Sequence, residues 1–151
     1  MTTTRIKSQR ISCDNFAAYG TVAQLGAEAP LAQTSQFSFW SDHAAYRIEG
    51  ETEIGFCTVR APKDDAVDWM ERHERTPEVL IPIDWPVVLP VMREDGTVEA
   101  FEMHPGEAVV IGQNVWHSAC LPLGRREATY FVVFRRGTPH EDVVKQEIET
   151  V

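Results

Sequence analysis

From Phe37 to Arg136 the chain is a succession of short segments of strand character, separated at close intervals by Gly, Pro and Asp. They read FSFW from Phe37, EIGFCTVR from Glu53, VDWMERH from Val67, EVLIP from Glu78 and VVLPVM from Val87. TVEAFEMH from Thr97, EAVVIG from Glu107, VWHSAC from Val115 and ATYFVVFRR from Ala128 complete the series. Strands so short and so evenly punctuated point to an all-β architecture, an antiparallel sandwich or barrel. EDGT, Glu94 to Thr97, is a hairpin signal, because Asp-Gly accepts the positive φ angles of a tight turn. It joins a strand ending near Met92 to one starting near Val98.

Two stretches read differently. SCDNFAAYG is expected to form a short helix, with Ser12 or Asp14 as cap and Gly20 as its stop. At the other end, TPHEDVVKQEIE places Thr138 as N-cap, Pro139 at the first helical position and Glu141 where a capping box needs it. A terminal helix packing Val143, Val144 and Ile148 on the barrel or on a partner is therefore expected. No Gly/Ser linker, repeat or low-complexity block divides the chain, so residues 1–151 are expected to form one domain.

At 151 residues and 43% hydrophobic composition, the chain can bury a continuous core. Its net charge of −9 argues against a phosphate-binding surface for nucleic acid, whose affinity comes mainly from Lys and Arg. An anionic substrate would need a local basic pocket. Cys13, Cys57 and Cys120 are too few and too scattered for a disulfide framework, and are expected as reduced, buried thiols. MTTTRIKSQRIS has no apolar leader core, and no apolar run approaches the ~20 residues that span a bilayer. A cytoplasmic, membrane-free protein is the expectation.

WMERHERTPEVLIP, Trp69 to Pro82, carries the chemical question: Glu71, His73 and Glu78 stand directly in front of one of the most apolar stretches of the chain. Charges entering a core are costly unless they are paired or bound to a metal. Alternate side chains of a strand share a face, so Glu71 and His73 point together while Met70 and Arg72 point away. The turn ERTP is placed to return Glu78 beside His73, and IGQNVWHSACLP supplies His117 after a Gly-Gln-Asn turn.

Glu71-x-His73, four residues and Glu78, with the distant His117, resembles the two-part metal motif of cupins, with Glu in the first His position. Asn114 stands where that motif has Gly, a residue type that tolerates the left-handed conformation. FAAYGTV (Phe16 to Val22), MERH (Met70 to His73), LIP (Leu80 to Pro82) and NVWH (Asn114 to His117), followed by YFVVFRRG, resemble the ureidoglycolate lyase family of cupins, in order along most of the chain. There are departures. Trp85 replaces a usual Gly, with Asp84 left to take the turn; Glu78 stands where many members have Gln; and FSFW replaces an Asn-x-Gly pattern before the Arg47 region. These bear on the pocket wall and hence on the substrate.

The resemblance implies a cupin-type antiparallel β-barrel and a reaction splitting ureidoglycolate, a small anionic substrate, into glyoxylate and urea, within purine or allantoin catabolism. It also implies a divalent metal held by Glu71, His73, Glu78 and His117, with Glu71, His73 and His117 as the catalytic candidates. Zn, Mn, Fe and Ni all suit such ligands. The competing reading is a metal-free polar cluster in which Glu71, Glu78 and Arg72 or Arg75 satisfy the two histidines. Arg60, His104 and Trp116 are candidates for the substrate pocket, against a solvated strand end, a surface histidine and a core tryptophan; Trp40 is weighed in the same way. A homodimer is expected by analogy. Another metal-dependent cupin enzyme (isomerase, decarboxylase or dioxygenase) and a noncatalytic small-molecule-binding cupin are the other readings, since the fold selects no single chemistry.

Overall fold

A computed structural model describes residues 4–26 and 28–151. Met1 to Thr3, the start of the segment read as lacking a leader core, and Ala27 lie outside the described residues. The strands open with β1 (Gln9–Arg10), β2 (Gly20–Ala23), β3 (Ala32–Gln33), β4 (Ser38–Phe39) and the long β5 (Thr52–Arg60). Then come β6 (Trp69–Arg72), β7 (Glu78–Pro82), β8 (Val87–Met92), β9 (Val98–Met103) and β10 (Ala108–Ile111). The chain finishes with β11 (Trp116–His117), β12 (Leu121–Pro122), β13 (Glu127–Arg135), the short helix α1 (Thr138–Glu141) and β14 (Val144–Glu147).

One sheet runs β1-β9-β8-β11-β6-β14, with β12 also on β8; the other runs β2-β10-β7-β13-β5. Every pairing is antiparallel except β1 on β9. The expected cupin-type barrel results. Its interior is filled from both sheets by Leu89, Val91, Phe101 and Met103 against Val22, Val59, Leu80, Val109, Ile111 and Val132, with Ile11, Phe16 and Tyr19 joining them. The strand period of two is what sends these residues to one side. Each fully buried side chain of this kind stabilises by about 1.5–3 kcal/mol. Gly20 opens β2 at a point where a Cβ would lie 1.8 Å from the Val110 carbonyl oxygen, so no larger residue fits.

The EDGT hairpin is present, with Met92 opposite Val98. Only Gly96 takes a positive φ, of 90°, and the Arg93 N–H donates to the Thr97 carbonyl. One glycine therefore suffices, where the sequence reading gave positive φ to both turn residues.

Both expected helices are corrected. Residues 13–19 form successive turns instead of a helix. Ser12 does cap them, its hydroxyl accepting from the Asn15 N–H while the Asn15 side chain accepts from the Ser12 N–H. At the C-terminus the helix ends at Glu141, and Val144–Glu147 pairs with β6 as a strand. Thr138 donates its hydroxyl to the Arg135 carbonyl, and Glu141 reaches Arg135, so neither completes a capping box. β-Branched Val143, Val144 and Ile148 favour a strand, and the open edge of β6 supplies its partner. Val144 and Ile148 still pack on the barrel, over a second apolar cluster of Val67, Met70, Met92 and Trp116.

Of the cysteines, all free, Cys120 is buried and Cys57 half-buried, but Cys13 is exposed, contrary to expectation. No helix among the described residues is long and apolar enough to cross a membrane.

Candidate metal and acid–base site

The site lies where β6, β7, β11 and the C-terminal segment meet. Met70, fully buried, packs away from the barrel interior; the strand alternation then turns Glu71 inward, and the chain beyond β6 presents His73 on the same side. β11 runs antiparallel to β6 and sets His117 opposite Glu71. Its start follows Asn114, whose φ of 65° is the left-handed conformation expected there, and whose N–H donates to the His73 carbonyl. The Glu74–Pro77 turn is pinned by Asp142, whose carboxylate oxygens accept from the Glu74 and Arg75 N–H groups at 2.9 Å. That turn returns Glu78 to the cluster.

Glu78 stands between the two imidazoles. Its Oε2 is 3.1 Å from His73 Nε2 and 2.8 Å from His117 Nε2. Both rings are oriented from behind: the Asp142 carbonyl receives His73 Nδ1–H at 2.8 Å and the Val115 carbonyl receives His117 Nδ1–H at 3.0 Å. Such carbonyl bonds fix Nδ1 as the protonated nitrogen and leave Nε2 as the working one. His117 Nε2, though close to Glu78, lies off the line of a hydrogen bond and has no partner of good geometry. Glu71 is more open, its Oε1 at 3.9 Å from His117 Nε2.

Burial would discharge all three inner groups, but their mutual attraction wins. For His73, burial lowers the pKa while the Glu78 hydrogen bond and charge raise it, to about 9. For Glu78, burial raises the pKa while His117 and His73 pull it down to about 2. His117 is displaced upward by Glu78 against the same burial penalty. The protein's own charges thus hold a carboxylate between imidazoles that carry protons.

A divalent ion fits this donor set. The ligand atoms of Glu71, His73 and His117 lie within 4.8 Å of one another, and His117 Nε2 is a buried polar atom in want of a partner. Carboxylate and back-bonded imidazole are the ligand types such ions take. A cation would replace the protons that otherwise neutralise Glu78, so its binding releases protons.

A cavity of about 550 Å³ opens on the cluster, lined by Glu71, His73, Glu78, Phe134, Pro139, Val143 and Lys145. The structure thus brings together Glu71, His73, Glu78 and His117, and does not bring the other candidates to them. Arg60 ends β5 exposed and paired with Glu127 at 3.2 Å. His104 pairs with Glu102 at 2.7 Å, partly exposed. Trp116 packs on the opposite face of its strand from His117, beneath the Arg72 guanidinium. Trp40 donates to the Glu28 carbonyl near the outlying β3–β4 hairpin. That hairpin, which holds most of FSFW, does not line the cavity, nor does Trp85, whose ring N–H donates to the Leu123 carbonyl. Asp142, Phe134 and Lys145 escaped the sequence reading. For Lys145 a signal existed, the β-branched pair Val143–Val144 before it, overridden by the helix-start pattern; for Asp142 there was none.

A family described as ureidoglycolate lyase matches residues 3–151. The chain belongs to that family. Ureidoglycolate lyase 2 of Rhizobium meliloti (strain 1021) is 40% identical over 73 residues, 45% of this chain. The match spans 44% of that relative's length. Among solved structures, a Bacillus subtilis oxalate decarboxylase variant is 19% identical over 62% of this chain and 23% of its own, with a TM-score of 0.48. Peruvianin-I, a cysteine peptidase from Thevetia peruviana latex, is 13% identical over 66% of this chain and 57% of its own, at 0.49. Neither structural likeness bears on the chemistry of this member of the ureidoglycolate lyase family.

Proposed function

We propose that the protein is a metal-assisted ureidoglycolate lyase of purine or allantoin breakdown, working in the cytoplasm. The observation that carries this reading is the convergence of the buried Glu78 and two buried, back-bonded imidazoles with the more open Glu71, in a chain of this family. His73, Glu78 and His117 would hold the ion, with Glu71 serving as base instead of ligand. When bound, a divalent cation lowers the pKa of a coordinated hydroxyl and steadies developing negative charge. Zn, Mn, Fe and Ni are all compatible with these ligands.

The residues account for the rest of the reaction. Glu71, the most open of the four, takes the proton of the carbinol hydroxyl. The released electron pair forms the glyoxylate carbonyl, and the carbon–nitrogen bond breaks toward the ureido group. That nitrogen takes the proton back from Glu71 and leaves as urea. His73 and His117, held through Nδ1, keep their Nε2 atoms on the reacting side.

A second reading is favoured by Glu78 itself, which already contacts both imidazoles: the triad would act as the acid–base unit without an ion. The experiment that separates the readings is glyoxylate release from racemic ureidoglycolate, with Mn, Zn, Ni, Fe(II) or EDTA in parallel. Release above the spontaneous rate that EDTA abolishes supports the metal lyase, and release indifferent to EDTA supports the metal-free triad. No release under any condition removes this substrate.

A further inference from the structure

We propose that Lys145 is the group that receives the carboxylate of the small acid bound at this site, and so makes the site selective for hydroxy acids over their neutral counterparts. The inference rests on the proposed function, in which the cluster around His73 handles a small anionic substrate.

The placement comes from register. β14 lies antiparallel to β6 with Lys145 directly opposite Glu71, and side chains paired in this way share a face with Cβ atoms ~5 Å apart. Since Glu71 faces the cavity, so does Lys145, and both line it. Of the lining residues, Lys145 alone has a side chain charged positively without help from a neighbour. An acid entering beside Glu71 and Glu78, in a chain of net charge −9, needs a nearby cation to offset their repulsion.

Lys145 is also available. Its ammonium makes no ion pair among the described residues and rests over the Trp69 ring, 5.2 Å from the centroid. An exposed cation–π contact of this kind is worth only ~0.5–1 kcal/mol, so a carboxylate can displace it.

The arginines are committed elsewhere. Arg60 pairs with Glu127, and Arg72 lies on Trp116. Arg75 and Arg135 both contact Glu141 and, with Arg47, line a different cavity of about 480 Å³. With its carboxylate on Lys145, an acid presents its carbinol carbon to the facing Glu71 and the imidazoles.

The test compares glycolate with glycolamide, its neutral amide, by calorimetric titration of the full chain and its Lys145→Met, Lys145→Arg and Arg135→Met variants. Melting temperature and metal content are measured for each. Lys145→Met is expected to weaken glycolate binding by at least ~10-fold, the scale of one charge-assisted hydrogen bond, and to leave glycolamide binding unchanged. Lys145→Arg should recover most of the loss, and Arg135→Met should cause none. With ureidoglycolate, KM should rise more than kcat falls. The proposal is overturned if Lys145→Met binds glycolate as the wild type does, if both probes weaken alike, if Arg135→Met causes the loss, or if the wild type does not prefer glycolate to glycolamide. A wild type without lyase activity removes ureidoglycolate as substrate, yet the contrast between the two probes still decides the role of Lys145.

Discussion

His104 and Glu102 are closer to each other than His73 and Glu78 are, 2.7 Å against 3.1 Å. The first pair is nonetheless half in solvent, with its histidine side chain 43% exposed, whereas His73 is 5% exposed. Water competes for an exposed pair and leaves it worth roughly 0–1 kcal/mol. In the buried pair nothing else can satisfy the charges, and a second imidazole, His117, converges on the same carboxylate. Ion-pair distance therefore says little about function here; burial and convergence make the difference.

The strongest way to break this comparison is to remove a converging group. His117→Ala should lose metal on dialysis and lower glyoxylate release by ~10²-fold or more, measured by elemental analysis and initial rates. A variant that retains both would detach His117 from the site.

A smaller effect should appear in the pH dependence of stability of EDTA-treated protein. His73, raised from 6.5 to about 9, contributes stability that is complete below pH 6.5 and lost as pH rises toward 9. Glu78, lowered from 4.5 to about 2, contributes stability present above pH 4.5 and lost as pH falls toward 2. The cluster therefore stabilises most between pH 4.5 and 6.5, with losses on the order of 3 kcal/mol on either side. Urea midpoints across this span measure it, and Glu78→Gln should flatten both limbs. A wild-type profile no steeper than that of the variant would contradict the buried ion pair.

The smallest effect belongs to the exposed pair. His104→Ala should change the unfolding free energy by less than about 1 kcal/mol and leave metal content and glyoxylate release as they are. A larger loss in chemical denaturation, or a fall in turnover, would erase the contrast between the two pairs.

Much of this was legible beforehand. The nine strand segments from Phe37 to Arg136 each contain a strand, though β11 keeps only two residues of VWHSAC. The convergence of Glu71, His73 and Glu78 was legible too, because strand parity and a short return turn are local matters, whereas His117 joined them only through the resemblance to the cupin motif. Arg60 was left between two readings for the opposite reason. It sits on a long strand, and which end of β5 approaches the cluster depends on pairing with β13, where Arg60 meets Glu127 and Thr52 meets Arg135. The terminal segment was misread because its helix-start residues are real, and α1 does form, but the free edge of β6 captures Val144–Glu147 immediately beyond it.

By itself the sequence determined the class of fold, the face on which each strand carries its apolar residues, and the grouping of Glu71, His73 and Glu78. These rest on periodicity and turn chemistry, interactions among residues close in the chain. Only the tertiary structure decided that Asp142 would hold both His73 and its turn, that Lys145 would face Glu71, and that His104 and Arg60 would stand apart. Each of those depends on contacts between residues far apart in sequence, which are settled by which strand edge is left open when the sheets close.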